Sequence, residues 1–123
     1  MLIKIVYDNT SIRDDLQSDW GFAAVIEVES NRILFDAGAD GDILLNNMQK
    51  MNLDPTSIDT VFISHHHFDH TGGLAAFLAK NNKVTLYVPE SLRGVRNAAE
   101  VVHVSKPITY WRQYPLHRRI EKY

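Results

Sequence analysis

Ser64-His65-His66-His67-Phe68-Asp69-His70-Thr71-Gly72-Gly73 is the most informative segment of this 123-residue chain. Four of the six histidines fall within six consecutive positions, and an aspartate lies among them. The segment directly follows Thr60-Val61-Phe62-Ile63, a short apolar run that predicts a strand buried on both faces. The histidines therefore lie where a strand becomes a loop, and that edge of an open α/β sheet is where ligands bind.

The spacing of the histidines favours metal binding. His65 and His67 are two residues apart, so in an extended segment their side chains point to the same side and can converge on one ion. Asp69 and His70 can then turn towards a second ion. The alternative is a polar loop of exposed or locally hydrogen-bonded histidines. Imidazoles packed this closely without a metal would repel one another whenever they were protonated, which favours the metal site.

The other positions of the segment are expected to serve structure. His66 and Phe68 lie on the alternate phase and face elsewhere, and Phe68 is expected to pack against apolar neighbours. Gly72 and Gly73 are expected to let the chain turn sharply close to the ions before the next helix begins.

Outside this segment, strands and helices alternate, which predicts an α/β fold. Apolar, β-branched runs predict strands near residues 2–7, 22–29, 32–35, 84–88 and 101–104. Asp40 is expected to cap a helix that begins near Gly41, and a second apolar stripe begins at Leu74. Pro89-Glu90-Ser91 is expected to open a short helical segment.

The composition is that of one ordinary globular domain, with 45% hydrophobic and 23% charged residues. A net charge of −2 does not fit a basic nucleic-acid-binding protein, and no apolar run is long enough to span a bilayer. We therefore expect no nucleic-acid or membrane partner and a cytoplasmic location. Cysteine is absent, so any transition metal must be held by imidazole and carboxylate groups.

The pattern His-x-His-x-Asp-His, present here at residues 65–70, resembles the signature of the metallo-β-lactamase superfamily. Leu34-Phe35-Asp36-Ala37-Gly38 is similar to that superfamily's first motif, a strand ending in Asp followed by a Gly turn. The order of hairpin, Asp-Gly turn, helix, strand and His motif is reproduced from Phe22 to Leu78. Asp8-Asn9-Thr10 and Trp20-Gly21-Phe22 also resemble a subgroup that includes the synthase joining a dihydropterin to a ribofuranosyl-aminobenzene phosphate.

The resemblance implies a metallo-β-lactamase-like αβ/βα sandwich. Residues 1–108 resemble its N-terminal half, one mixed sheet with helices, and residues 109–123 are expected to form a basic C-terminal tail. In the superfamily a third histidine, a bridging aspartate and a last histidine lie further downstream. After the motif this chain offers only His103, in a strand-like run, and His117, in the tail. Neither has the family's motif around it.

The resemblance also implies the cofactors and the residues that hold them. Two divalent ions are expected, zinc first, with manganese or iron as alternatives. His65 and His67 match ligands of the first ion, and Asp69 and His70 match ligands of the second. Asp69 is also the expected catalytic residue, because it orients the attacking water and accepts or returns its proton. Asp36 matches the aspartate that holds a ligating histidine or its loop in place, and the alternative is a turn carboxylate near Asp40.

The implied activity is that of a metal-dependent hydrolase, in which a metal-bound hydroxide attacks an ester or phosphoester bond of a small molecule. The alternatives are a pterin-pathway transferase or synthase of the same fold, and a truncated, non-catalytic half-domain. Without a second sheet, one apolar face of the first sheet would be uncovered. A homodimer or a separately encoded second half is therefore expected. Asp8 and Trp20 line the pocket in the subgroup, but core packing is the favoured interpretation for Trp20.

Overall fold

Six strands form one mixed sheet in the computed structural model, which describes residues 1–105. Their order in the sheet is their order in the chain, and the first three are antiparallel whereas the third to the sixth are parallel. This architecture confirms the predicted α/β class with a mixed sheet. The predicted tail and His117 lie outside the described residues. The strands are β1 (Leu2–Tyr7), β2 (Ala23–Val28), β3 (Asn31–Phe35), β4 (Thr60–Phe62), β5 (Thr85–Pro89) and β6 (Glu100–Val104).

Three helices connect the parallel strands: α1 (Gly41–Lys50), α2 (Phe68–Thr71) and α3 (Leu74–Lys80). Asp40 caps α1 as predicted, since its carboxylate accepts hydrogen bonds from the backbone N–H groups of Asp42 (2.8 Å) and Ile43 (3.2 Å). A single 3-10 turn, Pro55–Ser57, precedes β4. No described helix is long and apolar enough to cross a membrane.

The helix predicted at Pro89-Glu90-Ser91 is wrong. Pro89 is the last residue of β5, and residues 90–99 form an irregular crossover to β6. Gly94 and Asn97 adopt positive φ angles (75° and 68°) within this crossover, and such angles cannot continue an α-helix. Apolar side chains anchor the crossover to the core at Leu92, Val95 and Ala98.

The core lies on one face of the sheet, where the apolar stripes of α1 and α3 cover strand residues such as Val25 and Leu34. The other face, here called the open face, carries side chains that are half-buried or exposed and absent from that core. The expectation that β4 is buried on both faces is wrong, because Val61 is buried whereas Phe62 is 36% exposed. The Phe62 ring stacks on that of Phe35, at 5.5 Å between ring centroids. The apolar side chains of the open face include Ile3, Ile5, Ile26, Ile33, Phe35, Phe62, Tyr87 and Val102, and the polar Thr60, Thr85 and Glu100 lie on it as well.

Parallel pairing places three loops at one edge of the sheet. The carboxyl ends of β3, β4 and β5 meet there, so Asp36, the histidine segment and Ser91 are neighbours although they are far apart in sequence. His103 lies in β6 opposite Val88, which confirms its prediction as a strand histidine.

Candidate metal centre

Asp36 is the buried anchor of the centre, with only 1% of its surface exposed. Its Oδ1 accepts a hydrogen bond from the Ser64 backbone N–H (2.7 Å), and its Oδ2 lies 2.7 Å from both the Ser64 hydroxyl and His70 Nδ1. Its φ of 57° aims the carboxylate under the histidine loop, and aspartate tolerates this conformation better than most residues. Asp36 therefore joins a histidine and the loop that carries it, and its effect on metal binding stays a prediction.

Hydrogen bonds fix which nitrogen each of two histidines offers to an ion. Because a carboxylate only accepts, the Ser64 hydroxyl donates to Asp36 and can then only accept from Nδ1–H of His65, which is 2.8 Å away. His70 likewise donates its Nδ1–H to Asp36. Both rings therefore keep the lone pair on Nε2, the form in which histidine binds metals.

The ligating side chains predicted from the sequence lie together. The ring centroid of His65 is 4.1 Å from that of His70 and 4.7 Å from that of His67. Asp69 Oδ2 lies 3.4 Å from His70 Nε2. Two ligands at the corners of a zinc tetrahedron are separated by about 3.4 Å when each bond is about 2.0–2.1 Å. Asp69 and His70 are thus spaced as two ligands of one ion could be. Among the described residues, however, neither Asp69 nor His67 joins a group of three ligand atoms that lie within 4.8 Å of one another.

Asp36 is a weaker candidate ligand than its position suggests. One ligand atom each from Asp36, His65 and His70 lie within 4.8 Å of one another, as three ligands of one ion could. Both oxygens of Asp36, however, already accept hydrogen bonds. We therefore assign it the support of His70 rather than coordination.

The environment of His65 favours its neutral form. Burial lowers the pKa of the His65 imidazole below its usual value, and the neighbouring His70 and His67 lower it further. The carboxylates of Asp36 and Asp69 act in the opposite direction. A lower pKa keeps His65 unprotonated, as a ligand must be, at a more acidic pH.

His66 lies at the margin of this cluster, with its ring centroid 5.5 Å from that of His67, and it has a partner of its own. Its Nδ1 lies 3.1 Å from the Ser91 hydroxyl, in the crossover after β5. Sequence analysis missed both Ser64 and Ser91 as members of the centre. Ser64 adjoins the motif and could have been suspected, whereas the Ser91 contact joins residues 25 positions apart and has no local signal.

Glycine is required at positions 72 and 73 for a reason other than the predicted sharp turn. Their φ angles of −60° and −81° are ordinary helical values. A Cβ at Gly72 would collide with the Ala39 carbonyl oxygen, and one at Gly73 would collide with that of Ala37. The two glycines therefore allow the loop after β3 to lie directly against the ends of α2 and α3.

Trp20 and Phe68 are exposed, not packed as expected. Trp20 is 64% exposed and Phe68 is 68% exposed. Trp20 precedes Gly21, whose backbone lies so close to Asp69 that a Cβ there would collide with the Asp69 carbonyl oxygen.

The family model and the relatives of known sequence point to the same superfamily. A sequence model of the Metallo-beta-lactamase superfamily matches residues 21–119. The 7,8-dihydropterin-6-methyl-4-(beta-D-ribofuranosyl)-aminobenzene-5'-phosphate synthase of Methanocaldococcus jannaschii is 47% identical over 86 residues, which are 67% of this chain and 29% of that protein. A ribonuclease Z of Nanoarchaeum equitans is 36% identical over 69 residues, 51% of this chain and 21% of that protein. The chain therefore spans under a third of each relative.

Solved structures show the same fold. A putative metallo-beta-lactamase from Thermotoga maritima matches with a TM-score of 0.58 at 20% identity, over 84% of this chain and 58% of that one. The short form of human tRNase Z matches with a TM-score of 0.57 at 22% identity, over 94% of this chain and 39% of that one.

Proposed function

This chain belongs to the metallo-β-lactamase superfamily, and on that basis we propose that it is a metal-dependent hydrolase acting on an ester or phosphoester bond. The observation that carries the proposal is the convergence of the His65, His67 and His70 rings with the Asp69 carboxylate at one sheet edge. The arrangement of protons around Asp36 supports it, because two imidazoles are held with Nε2 free.

We assign His65 and His67 to one divalent ion and Asp69 and His70 to a second, with zinc as the first candidate and manganese or iron as alternatives. Such ions, when bound, lower the pKa of water and polarise an ester or phosphoryl oxygen. The protein's own contribution is orientation. Asp36 fixes the His70 ring, and Asp69 presents a half-buried carboxylate that can orient a water molecule and take up its proton.

Metal stoichiometry and turnover test this assignment together. We expect the His65→Ala/His67→Ala double variant to lose zinc binding and hydrolysis of bis(4-nitrophenyl) phosphate, while the stability of the metal-free chain changes little. His66→Ala is the matched control, because the His66 Nδ1 is paired with the Ser91 hydroxyl, and it should keep the metal although its ring borders that of His67. Stoichiometric zinc in the double variant, or no zinc bound by the wild-type chain on titration, would refute the assignment.

The relative from Methanocaldococcus jannaschii favours a second candidate, a synthase of pterin chemistry. In this case the same side chains would hold ions that bind the departing phosphate or pyrophosphate. Calorimetric titration with a dihydropterin pyrophosphate separates the two proposals. Saturable binding favours the synthase, whereas turnover of simple esters without any pterin pyrophosphate binding favours the hydrolase.

A further inference from the structure

A groove of about 380 Å³ lies on the helix side of the sheet, between α3 and the irregular crossover of residues 90–99. We propose that this groove binds a small anionic amphiphile, a carboxylate that carries an alkyl chain of medium length. Among the described residues, none of the predicted metal ligands lines the groove. The site therefore goes beyond the proposed function and does not depend on a bound ion.

The floor of the groove is apolar and belongs to the core. Leu74 and Leu78 line it from α3, with 5% and 4% of their surfaces exposed. Leu92 and Val95 line it from the crossover and are half-buried against the same core. A site of this size with such a lining suits a hydrocarbon chain, because apolar surface gains free energy when it leaves water.

The crossover that forms the second wall is tied down at both of its ends. The Leu92 N–H donates to the Pro89 carbonyl oxygen (2.9 Å), and the Ala99 N–H donates to the Val84 carbonyl oxygen (3.1 Å). Between these two bonds, Gly94 lines the groove, and a Cβ there would meet no atom within 4 Å. The groove is thus preformed beside a fixed backbone, which lowers the entropy cost of binding.

The charge around the groove is positive. Arg96 is the only charged residue of the described chain that lines it, and no described carboxylate forms an ion pair with Arg96. The segments that form the two walls, residues 74–80 and 91–99, contain no aspartate or glutamate. Glu90 and Glu100 flank the crossover without lining the groove. The walls therefore complement an anionic group, although the whole chain has a net charge of −2.

Size and charge together select the occupant. The volume is that of a small-molecule site rather than of a surface for a whole protein element. Residues 106–123 carry five lysine and arginine side chains and a single glutamate, so this segment would be repelled by Arg96. One cationic group beside an apolar floor matches a ligand with one anionic group and one hydrocarbon chain, and we therefore commit to an alkyl carboxylate.

Nuclear magnetic resonance titration of the ¹⁵N-labelled chain tests the site with three matched probes. Octanoate has both the chain and the charge, octan-1-ol has only the chain, and acetate has only the charge. We expect octanoate to cause saturable shifts of amide signals along the groove, such as those of Gly94 and Val95. We expect octan-1-ol to cause the same shifts at lower affinity, and acetate to cause none that saturate.

The charge is tested by Arg96→Gln. This variant should weaken octanoate binding about two- to fivefold, the effect of one exposed ion pair, and should leave octan-1-ol binding unchanged. Arg32→Gln, at an exposed arginine of β3 outside the groove, is the matched control and should leave the binding of both probes unchanged. An equal loss of octanoate binding in both variants would overturn the assignment of Arg96.

The apolar part is tested by filling the groove. Ala75 is exposed on α3 and lines the groove, so Ala75→Trp should weaken octanoate binding at least about tenfold. Ala79→Trp, at an exposed alanine of the same helix that does not line the groove, should retain it. The same spectra show whether each variant is folded. If Ala75→Trp fails to fold, Ala75→Leu fills the groove in part and should weaken binding by a smaller factor.

The titrations are carried out without metal and with zinc, so that failure of this site is distinct from failure of the metal assignment. Binding of octanoate by the metal-free chain supports the groove even if zinc never binds. Shifts confined to the open face or to the histidine segment overturn it, as do equal affinities for octanoate and octan-1-ol. Groove signals that shift only with protein concentration also overturn it, since the groove would then be a contact between copies.

Discussion

Asp36 and Tyr7 are buried polar side chains near the metal centre, and their polar atoms are satisfied to opposite degrees. Asp36 accepts hydrogen bonds on both oxygens, from Ser64 and His70. No hydrogen bond of ordinary length and angle reaches the Tyr7 hydroxyl from the described chain, although the backbone N–H groups of Ala39 and Asp40 lie near enough to lower the pKa of the phenol. The ring of Tyr7 nevertheless fills the space beside Gly38, where a Cβ would collide with it. Tyr7 therefore stabilises the fold through the packing of its ring, and Asp36 stabilises it through the hydrogen bonds of its carboxylate oxygens.

Asp36→Asn should weaken both the fold and the metal site. The amide keeps the shape and tolerates positive φ, but its NH₂ group cannot accept a hydrogen bond. One donor among Ser64 and His70 is then left unpaired, which costs about 1–3 kcal/mol when buried. We expect zinc affinity to fall about 10–100-fold, as for other residues that orient a ligating histidine. Urea unfolding and zinc titration measure the two effects.

Asp59→Asn is the control for this variant, because Asp59 also accepts a backbone N–H, from Arg32, but is exposed and distant from the centre. It should leave zinc affinity unchanged. Unaltered zinc affinity in Asp36→Asn would show that His70 is held without this hydrogen bond.

Tyr7→Phe should leave stability at neutral pH unchanged or raise it by up to about 1 kcal/mol, because it removes an unpaired buried hydroxyl. Burial raises the pKa of the Tyr7 phenol above its usual value of 10.0, and the Asp19 carboxylate acts in the same direction. As the pH rises above 10, the unfolded phenol ionises before the folded one, so the wild-type chain loses stability up to the raised pKa. The phenylalanine variant should lack this part of the alkaline loss in urea unfolding.

Tyr7→Ala provides the contrast, since it removes the ring and should cost about 3–5 kcal/mol. A large loss of stability in Tyr7→Phe at pH 7 would mean that the hydroxyl has a partner that these contacts do not reveal.

The candidate metal ligands stand out in the sequence because their pattern is local, and their assignment as ligands stays a prediction. The residues that orient or surround them do not stand out in this way. His65, His67, Asp69 and His70 are recognisable by spacing alone. Ser64 acts through Asp36, which is 28 residues away, and such a contact exists only after β3 and β4 pair. The indole of Trp20 is 64% exposed in the fold. Residue type alone favoured core packing for that indole.

At the scale of elements, hydrophobic patterning predicted the strands well. β1 and β4–β6 were expected within about two residues of their observed ends. The failure lies at Pro89-Glu90-Ser91, which was expected to open a helix, whereas Pro89 ends β5 and the following Gly94 and Asn97 take positive φ angles. The sequence also did not predict how many faces of a strand are buried. β4 has the composition of a strand that is buried on both faces, but only one of its faces is buried.

A prediction at the scale of elements concerns Gly73, where the loop after β3 packs against the start of α3. In an ordinary helical position, Gly→Ala stabilises by about 1 kcal/mol. Gly73→Ala should instead destabilise by about 2 kcal/mol or more, because the new Cβ meets the Ala37 carbonyl oxygen and backbone cannot move aside cheaply. Thermal unfolding measures the change.

Gly94→Ala is the matched control. No atom lies within 4 Å of a Cβ at Gly94, but its φ is 75°, so only backbone strain of about 1 kcal/mol is expected. A neutral or stabilising Gly73→Ala would mean that the β3 loop is not packed tightly on α3.

At the scale of the whole molecule, the open face is the surface through which we expect the chain to associate. Burying apolar surface contributes about 25 cal/mol per Å², so several hundred Å² of this face correspond to about 10 kcal/mol, as large as the net stability of many domains. We propose that two copies pack these faces together as a symmetric homodimer. Sedimentation velocity at micromolar concentration should give a dimer, and Phe62→Glu should give a monomer.

Ile12→Glu, at an exposed apolar residue outside that face, should leave the dimer intact. A compact, cooperatively folded monomer in the wild-type chain would contradict self-association. In that case a separately encoded second half becomes the candidate for covering the face.

The order of the sheet has a consequence for how the protein is made. Because each strand pairs with its sequence neighbours, a chain emerging from the ribosome can add every new strand to one already present. The antiparallel strands β1–β3 and the Asp36 carboxylate are synthesised before the histidines. With 28 residues between Asp36 and Ser64, translation at about 5–20 residues per second leaves that carboxylate without its partners for a few seconds. The nascent chain therefore acquires its capacity for metal only after the scaffold for it has formed.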